Sequence, residues 1–437
     1  MSDCVAIAPE LAFRQQIAET LQHASRSMAT AEQVAARELL NTFDVQLKDD
    51  NEATRQDIVR KVTDAYVATN GALEAAKEGE VESSHLLLQH ILSTNFDVKG
   101  EEYASLVKSV LEAVRVGGEA AAVAGRTAKL EAASRVLNNT YNYIAPESPL
   151  RLAALLALVQ VLGASDDLST LPLPSATVSA ALAQWSVSDA DKVSFLTTAA
   201  AVYESAGDLA TALSLTLLSL ERSLVAATAE HALALALAQP NRFELDDLLK
   251  VQGARDALTG KATELVALFV EDDELEAVAK ATAWAAANAA YVSGLGVTGL
   301  DVDAVLRKVR LVALTTLAAR SATKQISYAD IAKALAVDEV DVEAWVIDAI
   351  HAKLLQARLS QPLSTVRIIS VSSHGTRRFG PEEWQLLERR LTEWKSAVTD
   401  ARQVVDDAES LAAQGPITHQ RRQPQQRRQE QEQEVAA

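Results

Sequence analysis

A single cysteine, Cys4, in 437 residues excludes an intrachain disulfide framework and any zinc site built on thiolates. Glycine (16) and proline (10) are scarce and aromatics make up 4%, so a strand-rich fold would lack its usual punctuation. Long apolar runs are missing as well. Residues 281–300 are uncharged but consist mostly of Ala, Gly, Asn, Ser and Thr, and residues 168–188 carry Pro172 and Pro174. Neither has the aliphatic content of a spanning helix. Residues 1–24 have neither the charged start nor the apolar stretch of a signal peptide. The expectation is a soluble, cytoplasmic chain with no membrane partner.

Positive charge is also short. Residues 1–300 hold 22 Lys and Arg against 40 Asp and Glu, a net of −18, while 301–400 nets +1 and the last 37 residues −1. Phosphate binding needs the opposite sign, so the first two thirds cannot grip nucleic acid by bulk electrostatics.

Patterns of catalytic chemistry are lacking too. The seven histidines, His23, His85, His90, His231, His351, His374 and His419, form no HExxH or HxH spacing. His85 and His90, five apart, diverge by roughly 140° on a helix and cannot share a metal. No G-x-S-x-G elbow marks a serine. The acidic run Glu271–Glu274 reads as a solvated turn. Gly294-Leu-Gly296-Val-Thr-Gly299 matches GxGxxG, but an Ala-rich helical stretch precedes it and 317–322 supplies no acid for a ribose. It reads as a flexible joint. No enzyme, catalytic residue, cofactor, metal or small-molecule substrate is expected.

What is abundant is Ala and Leu mixed with Glu, Lys, Arg and Gln, within 49% hydrophobic residues. From Glu10 to Ala145 apolar positions recur at helical spacing, with breaks at Lys48–Asn51, Asn70-Gly71 and Gly117-Gly118. Each stripe would bury against the next in stacked hairpins. Pro146 and Pro149 open a second stretch, with an apolar helix at Leu150–Leu162 and a loop at Gly163–Ser175. In Val193–Arg222, Ala200, Tyr203, Gly207 and Ala212 fit one tetratricopeptide hairpin.

Residues 301–380 follow another order. Helix Val305–Ala319 precedes a short strand at Lys324–Ile326. Ser327 to Asp330 caps helix Tyr328–Leu335, and helix Val340–Ala352 leads into a hairpin of Leu354–Leu359 and Val366–Val371. This is the order of a winged helix. Its third helix would read nucleic acid in other winged helices, but here it carries Asp341, Glu343 and Asp348 and no Lys or Arg. Arg377, Arg378, Arg389 and Arg390 are the candidates for touching RNA backbone, against the plainer reading as surface charges. The hairpin, through Leu359, Val366, Ile368 and Ser370, is expected to offer a strand edge to another chain. Gly380-Pro381 opens a last helix in which Trp384, Leu387, Leu391, Trp394, Val398, Ala401, Val405, Ala408 and Ala412 form a heptad seam fading to Ala. From 414 the Gln/Arg/Glu-rich tail, with Arg421, Arg422, Arg427 and Arg428, reads as disordered.

These stretches resemble the PCI family of the proteasome lid, the deneddylating signalosome and translation initiation factor 3. The resemblance rests on Arg135–Asn139, Ser148–Arg151, Trp185–Asp191 and Phe243–Leu249, and most densely on Leu306–Leu311, Ile326–Leu335, Val342–Ile350, Thr376–Gly380 and Trp384–Leu387. It covers about residues 130–400, departs at the Ala-rich 277–290, and is nearest the initiation factor 3 members, with signalosome subunit 7 as the relative most easily confused with them. It implies an all-α architecture: helical repeats of tetratricopeptide or HEAT type over 1–145 and 146–300, a winged helix over 301–380, a bundle helix over 381–413 and a tail over 414–437. The PCI module would span approximately 205–372. It further implies a non-catalytic scaffold of initiation factor 3 that supports mRNA and initiator-tRNA recruitment to the small ribosomal subunit. Its partners within that factor would be the PCI-type A subunit and the MPN subunits F and H, with RNA touched weakly or indirectly. The alternatives are a subunit of the signalosome or proteasome lid, and a nucleic-acid-binding winged helix.

Overall fold

Helix formers between polar breaks give helices, and the computed structural model describes them over residues 11–46, 51–74, 79–270, 274–321, 323–372 and 381–413. Cys4, Lys48–Asp50, Glu271–Asp273, Arg377, Arg378 and the tail lie outside the described residues. Residues to 377 form one compact unit, and those from 378 a second.

In the first unit α1 (Phe13–Ser25), α2 (Thr30–Gln46), α3 (Glu52–Ala68), α4 (Glu80–Asn95), α5 (Glu101–Val123), α6 (Thr127–Tyr143) and α7 (Leu150–Ala164) come first. They are followed by α8 (Ser175–Gln184), α9 (Asp189–Ser205), α10 (Leu209–Arg222), α11 (Ala226–Ala238), α12 (Asp246–Lys250), α13 (Ala254–Ala257), α14 (Lys261–Val270) and α15 (Glu274–Gly294). Helices pack on the next and next-but-one neighbour: α5 on α6 and α7, α7 on α9, and α10 on α9 and α11. That is the contact pattern of stacked hairpins. The apolar α7 is buried along most of its length, as a helix without a polar face must be. Among the described residues no helix is long and apolar enough to cross a membrane.

The α9–α10 hairpin follows the tetratricopeptide spacing. Gly207 takes a left-handed turn (φ +84°), and Ala200, Tyr203 and Ala212 are buried. The Tyr203 hydroxyl donates to the Leu171 carbonyl at 2.9 Å.

Gly117-Gly118 behaves otherwise than its composition suggests. It lies inside α5 instead of ending a helix. A Cβ at 117 would overlap the Asn70 carbonyl oxygen, and one at 118 would come within 3.0 Å of Val161. The glycines are there for close approach. The turn they admit, Asn70–Ala72, has positive φ throughout, and a Cβ at Gly71 would meet the Val114 backbone at 2.8 Å.

Two histidines secure that turn. His23 Nε2 lies 2.9 Å from the Ala72 carbonyl and His85 Nε2 2.7 Å from that of Gly71. Tyr66 packs edge-on to His85 and hydrogen-bonds Ser84. Burial pushes His85 down to about 4 and lowers His23 as well. The His85 ring is therefore neutral in the folded state above about 4, while the unfolded chain takes up its proton below about 6.5. The stability that His85 supports is complete above that value and drains as pH falls toward 4. We expect on the order of 2 kcal/mol to be lost through His85 between pH 7 and 5. Urea midpoints at the two pH values should differ more for the wild type than for His85→Gln; equal differences would remove His85 from the acid response.

The turn from Gly294 to Leu300 carries the GxGxxG-like residues. Helix α15 and no strand precedes it, and Val297 and Leu300 are buried. The joint is thus pinned to the core.

Candidate assembly surface

The winged helix is built from α16 (Val302–Arg320), β1 (Gln325–Ser327), α17 (Tyr328–Leu335), α18 (Val342–His351), β2 (Leu355–Ser360) and β3 (Thr365–Val371). Local sequence sets its boundaries. Asp301 caps α16 by accepting from the Ala304 N–H at 2.6 Å. The Ser327 hydroxyl accepts from the Asp330 N–H and donates to the Asp330 carboxylate, capping the start of α17. Helix α18 starts two residues later than the sequence suggests, because Glu339–Asp341 forms a tighter 3₁₀ turn.

The acidic groups of α18 hold the domain together. Asp348 takes Arg307 of α16 bidentately, at 2.8 and 2.5 Å. Glu343 accepts from the Tyr328 hydroxyl at 3.1 Å and from Gln361 Nε2 at 2.9 Å. The Arg310 guanidinium lies 5.3 Å above the Trp345 ring. Next to Arg307, Lys308 is only 1% exposed. Its amine donates to the carbonyls of Ala236 at 3.1 Å, at the end of α11, and Arg242 at 2.8 Å. Among the described residues no carboxylate pairs with it. Burial, reinforced by the charges of Arg242 and Arg307, lowers this amine to about 7. Arg307 thus braces α16 against α18 while Lys308 fastens the winged helix to the helical array, roles sequence spacing does not reveal because the partners lie 41 and 72 positions away.

The strand order β1-β3-β2 corrects part of the expected edge. Val366 lies between Ile326 and Leu359 in the middle strand. Ile368 stands opposite Ala357 and gives its N–H to the Lys324 carbonyl at 2.8 Å. Both side chains are buried. They alternate inward onto the helices, and β1 closes the side of β3 that the hairpin pattern leaves open. Proline at 368 would break pairing within the chain, so it cannot probe assembly. Leu359, half-buried, does sit on an edge strand, and the exposed Ser370 lies past the end of β1. Among the described residues the open edges belong to β1 and β2.

In the second unit α19 (Pro381–Ala413) runs 33 residues, about 50 Å at helical rise. Trp384, Leu387, Leu391, Trp394 and Val398 are exposed, Trp394 to 68% and Leu391 to 54%. The seam itself passes into Ala401, Ala408 and Ala412 beyond Val398. Val404 and Leu411, seven apart and also exposed, add a flanking row beside Val405. Arg389 and Arg390 are exposed on the same helix. Among the described residues no three His, Cys, Asp or Glu side chains are placed to hold a metal.

This arrangement has counterparts among known proteins. A family model described as PCI domain matches residues 298–369, and one described as eIF3 subunit M, C-terminal helix, matches 377–405. Relatives named eukaryotic translation initiation factor 3 subunit M include one from Neosartorya fischeri, 28% identical over 362 residues, 79% of this chain and 72% of that one. The Schizosaccharomyces pombe protein of that name is 36% identical over 123 residues, which cover 28% of this chain and 29% of its own. That from Dictyostelium discoideum is 39% identical over 116 residues, 26% and 28% respectively. The winged helix and the long helix are thus matched in succession, residues 298–369 by the model of a PCI domain and residues 377–405 by that of the C-terminal helix of eIF3 subunit M.

Proposed function

We propose that the chain is a non-catalytic scaffold subunit of eukaryotic translation initiation factor 3, joined to its complex through the winged-helix sheet and the long terminal helix. The observation that carries this is the solvent-facing ridge of α19: apolar residues at heptad spacing over some 30 residues cost solubility unless other helices cover them. The open edges of β1 and β2 support a second contact, by strand addition from a neighbouring winged helix. The PCI module extends back into the helical repeats near residue 205. The PCI-type A subunit would then be the neighbour at the sheet, and the MPN subunits F and H would share the helical bundle. In the cytoplasm the assembly would support mRNA and initiator-tRNA recruitment to the small ribosomal subunit.

Purification of the tagged full chain from its own cells, followed by identification of the associated subunits, tests this. Recovery of initiation factor 3 subunits in fixed proportion is the expected result. Recovery of signalosome or proteasome-lid subunits in their place would reject the assignment.

A further inference from the structure

We infer that the outward face of the winged-helix sheet is a binding site for the phosphodiester backbone of RNA, held by Arg358 and Arg367. The two arginines are direct cross-strand partners in the β2–β3 ladder, so their side chains leave the same face. Both are exposed, while Val366 and Ile368, the neighbours of Arg367 on β3, turn inward. Like charges placed directly opposite destabilise a strand pair. Among the described residues neither guanidinium has an ion-pair or hydrogen-bond partner to offset that cost. In a chain whose net charge is −18, two uncompensated cations on a rigid ladder are the exception.

The surroundings specify the ligand. Gln325 of β1 is opposite Arg367, which gives a row of one amide and two guanidiniums across the three strands. Two residues along, the next row on this face is Ser327, Thr365 and Ser360, three hydroxyls. Asp330, beside that row, is engaged by the Ser327 hydroxyl in the α17 cap. The arginine forks beside the Thr365 and Ser360 hydroxyls and the Gln325 amide match phosphate oxygens, the Ser327 hydroxyl being already given to Asp330. A protein partner would need a buried apolar anchor at the centre of its contact; these two rows have none, and the exposed Ile369, two residues along β3 from Arg367, stands at their margin. The rows also lack aromatic side chains on which bases could stack, so the contact would follow the backbone without regard to sequence. This is a different surface from α18, whose acids are committed to Arg307, Tyr328 and Gln361.

The probe is a fluorescein-labelled 20-nucleotide oligouridine, titrated with the full chain by anisotropy at about 50 mM salt and at rising salt. Arg358→Gln/Arg367→Gln should weaken binding about tenfold or more and flatten the log–log salt slope by about 1.4, two phosphates at roughly 0.7 each. Lys99→Gln/Lys108→Gln removes the same charge from an exposed region elsewhere and should leave binding within about twofold, as expected of a local site. Thermal melting of Arg367→Gln should be no lower than wild type, since a repulsion is relieved. Absence of binding by the wild type, equal weakening in both double variants, or unchanged binding after loss of both arginines would each overturn the inference. So would loss of a co-purifying protein from the arginine variant with RNA binding intact, which would assign the face to a protein.

Discussion

Replacing Leu387 and Leu391 by aspartate is expected to release the chain from its complex while leaving its fold unchanged. Both leucines are exposed on α19, Leu387 to 38% and Leu391 to 54%, so the substitutions disturb the helix itself little. Covering each in a helix bundle contributes about 1.5–3 kcal/mol. Losing both, roughly 4 kcal/mol, weakens association about a thousandfold, and the carboxylates placed in an apolar seam add to that. Co-purification of partner subunits with the double variant should fall below detection, while its circular dichroism and melting match the wild type. Undiminished co-purification would show that the ridge is covered by something other than the complex, or not needed for it. Glu388→Gln, on the same helix and exposed, should retain every partner.

The largest loss of stability is expected from Gly117→Ala. The added methyl would overlap the Asn70 carbonyl oxygen, a backbone atom with no side-chain freedom to yield. Either α5 shifts or the turn held by His23 and His85 opens. Overpacking at such a contact costs about 3 kcal/mol. A lowered urea midpoint, with accelerated amide exchange confined to α1 through α5, is the expected signature. Wild-type stability in Gly117→Ala would mean that the turn has slack the geometry does not suggest. Assembly through α19 should survive the substitution, which separates it from the leucine variant.

Much of the winged helix was legible because its signals are local. Ser327 and Asp330 announce a helix start within four residues, and the alternation of Val366 and Ile368 fixes which face of β3 turns inward. What that alternation cannot say is which strand lies beside which. A three-residue β1 contributed from before α17 decides that β3 is central, and this non-local pairing moves Val366 and Ile368 from the expected edge into the core. The same limit hides Arg307 and Lys308, whose partners are distant in the chain. It hides the Arg358–Arg367 pair too, since a register shifted by one residue would separate the two charges. Gly117-Gly118 misleads for a different reason: close approach and helix termination draw on the same residue type. On α19 the seam is readable as a heptad pattern, but the flanking row of Val404 and Leu411 becomes apparent only when their exposure is known.

The buried Lys308 amine has a consequence for chain length. Its two acceptors belong to the end of α11 and to the loop that follows, Gln239 to Phe243. Surface loops ordinarily absorb an extra residue at little cost. Here an insertion would draw the Arg242 carbonyl off the ammonium and leave a desolvated proton donor without its acceptor. The span that follows α11 is therefore metered by one side chain of the neighbouring domain.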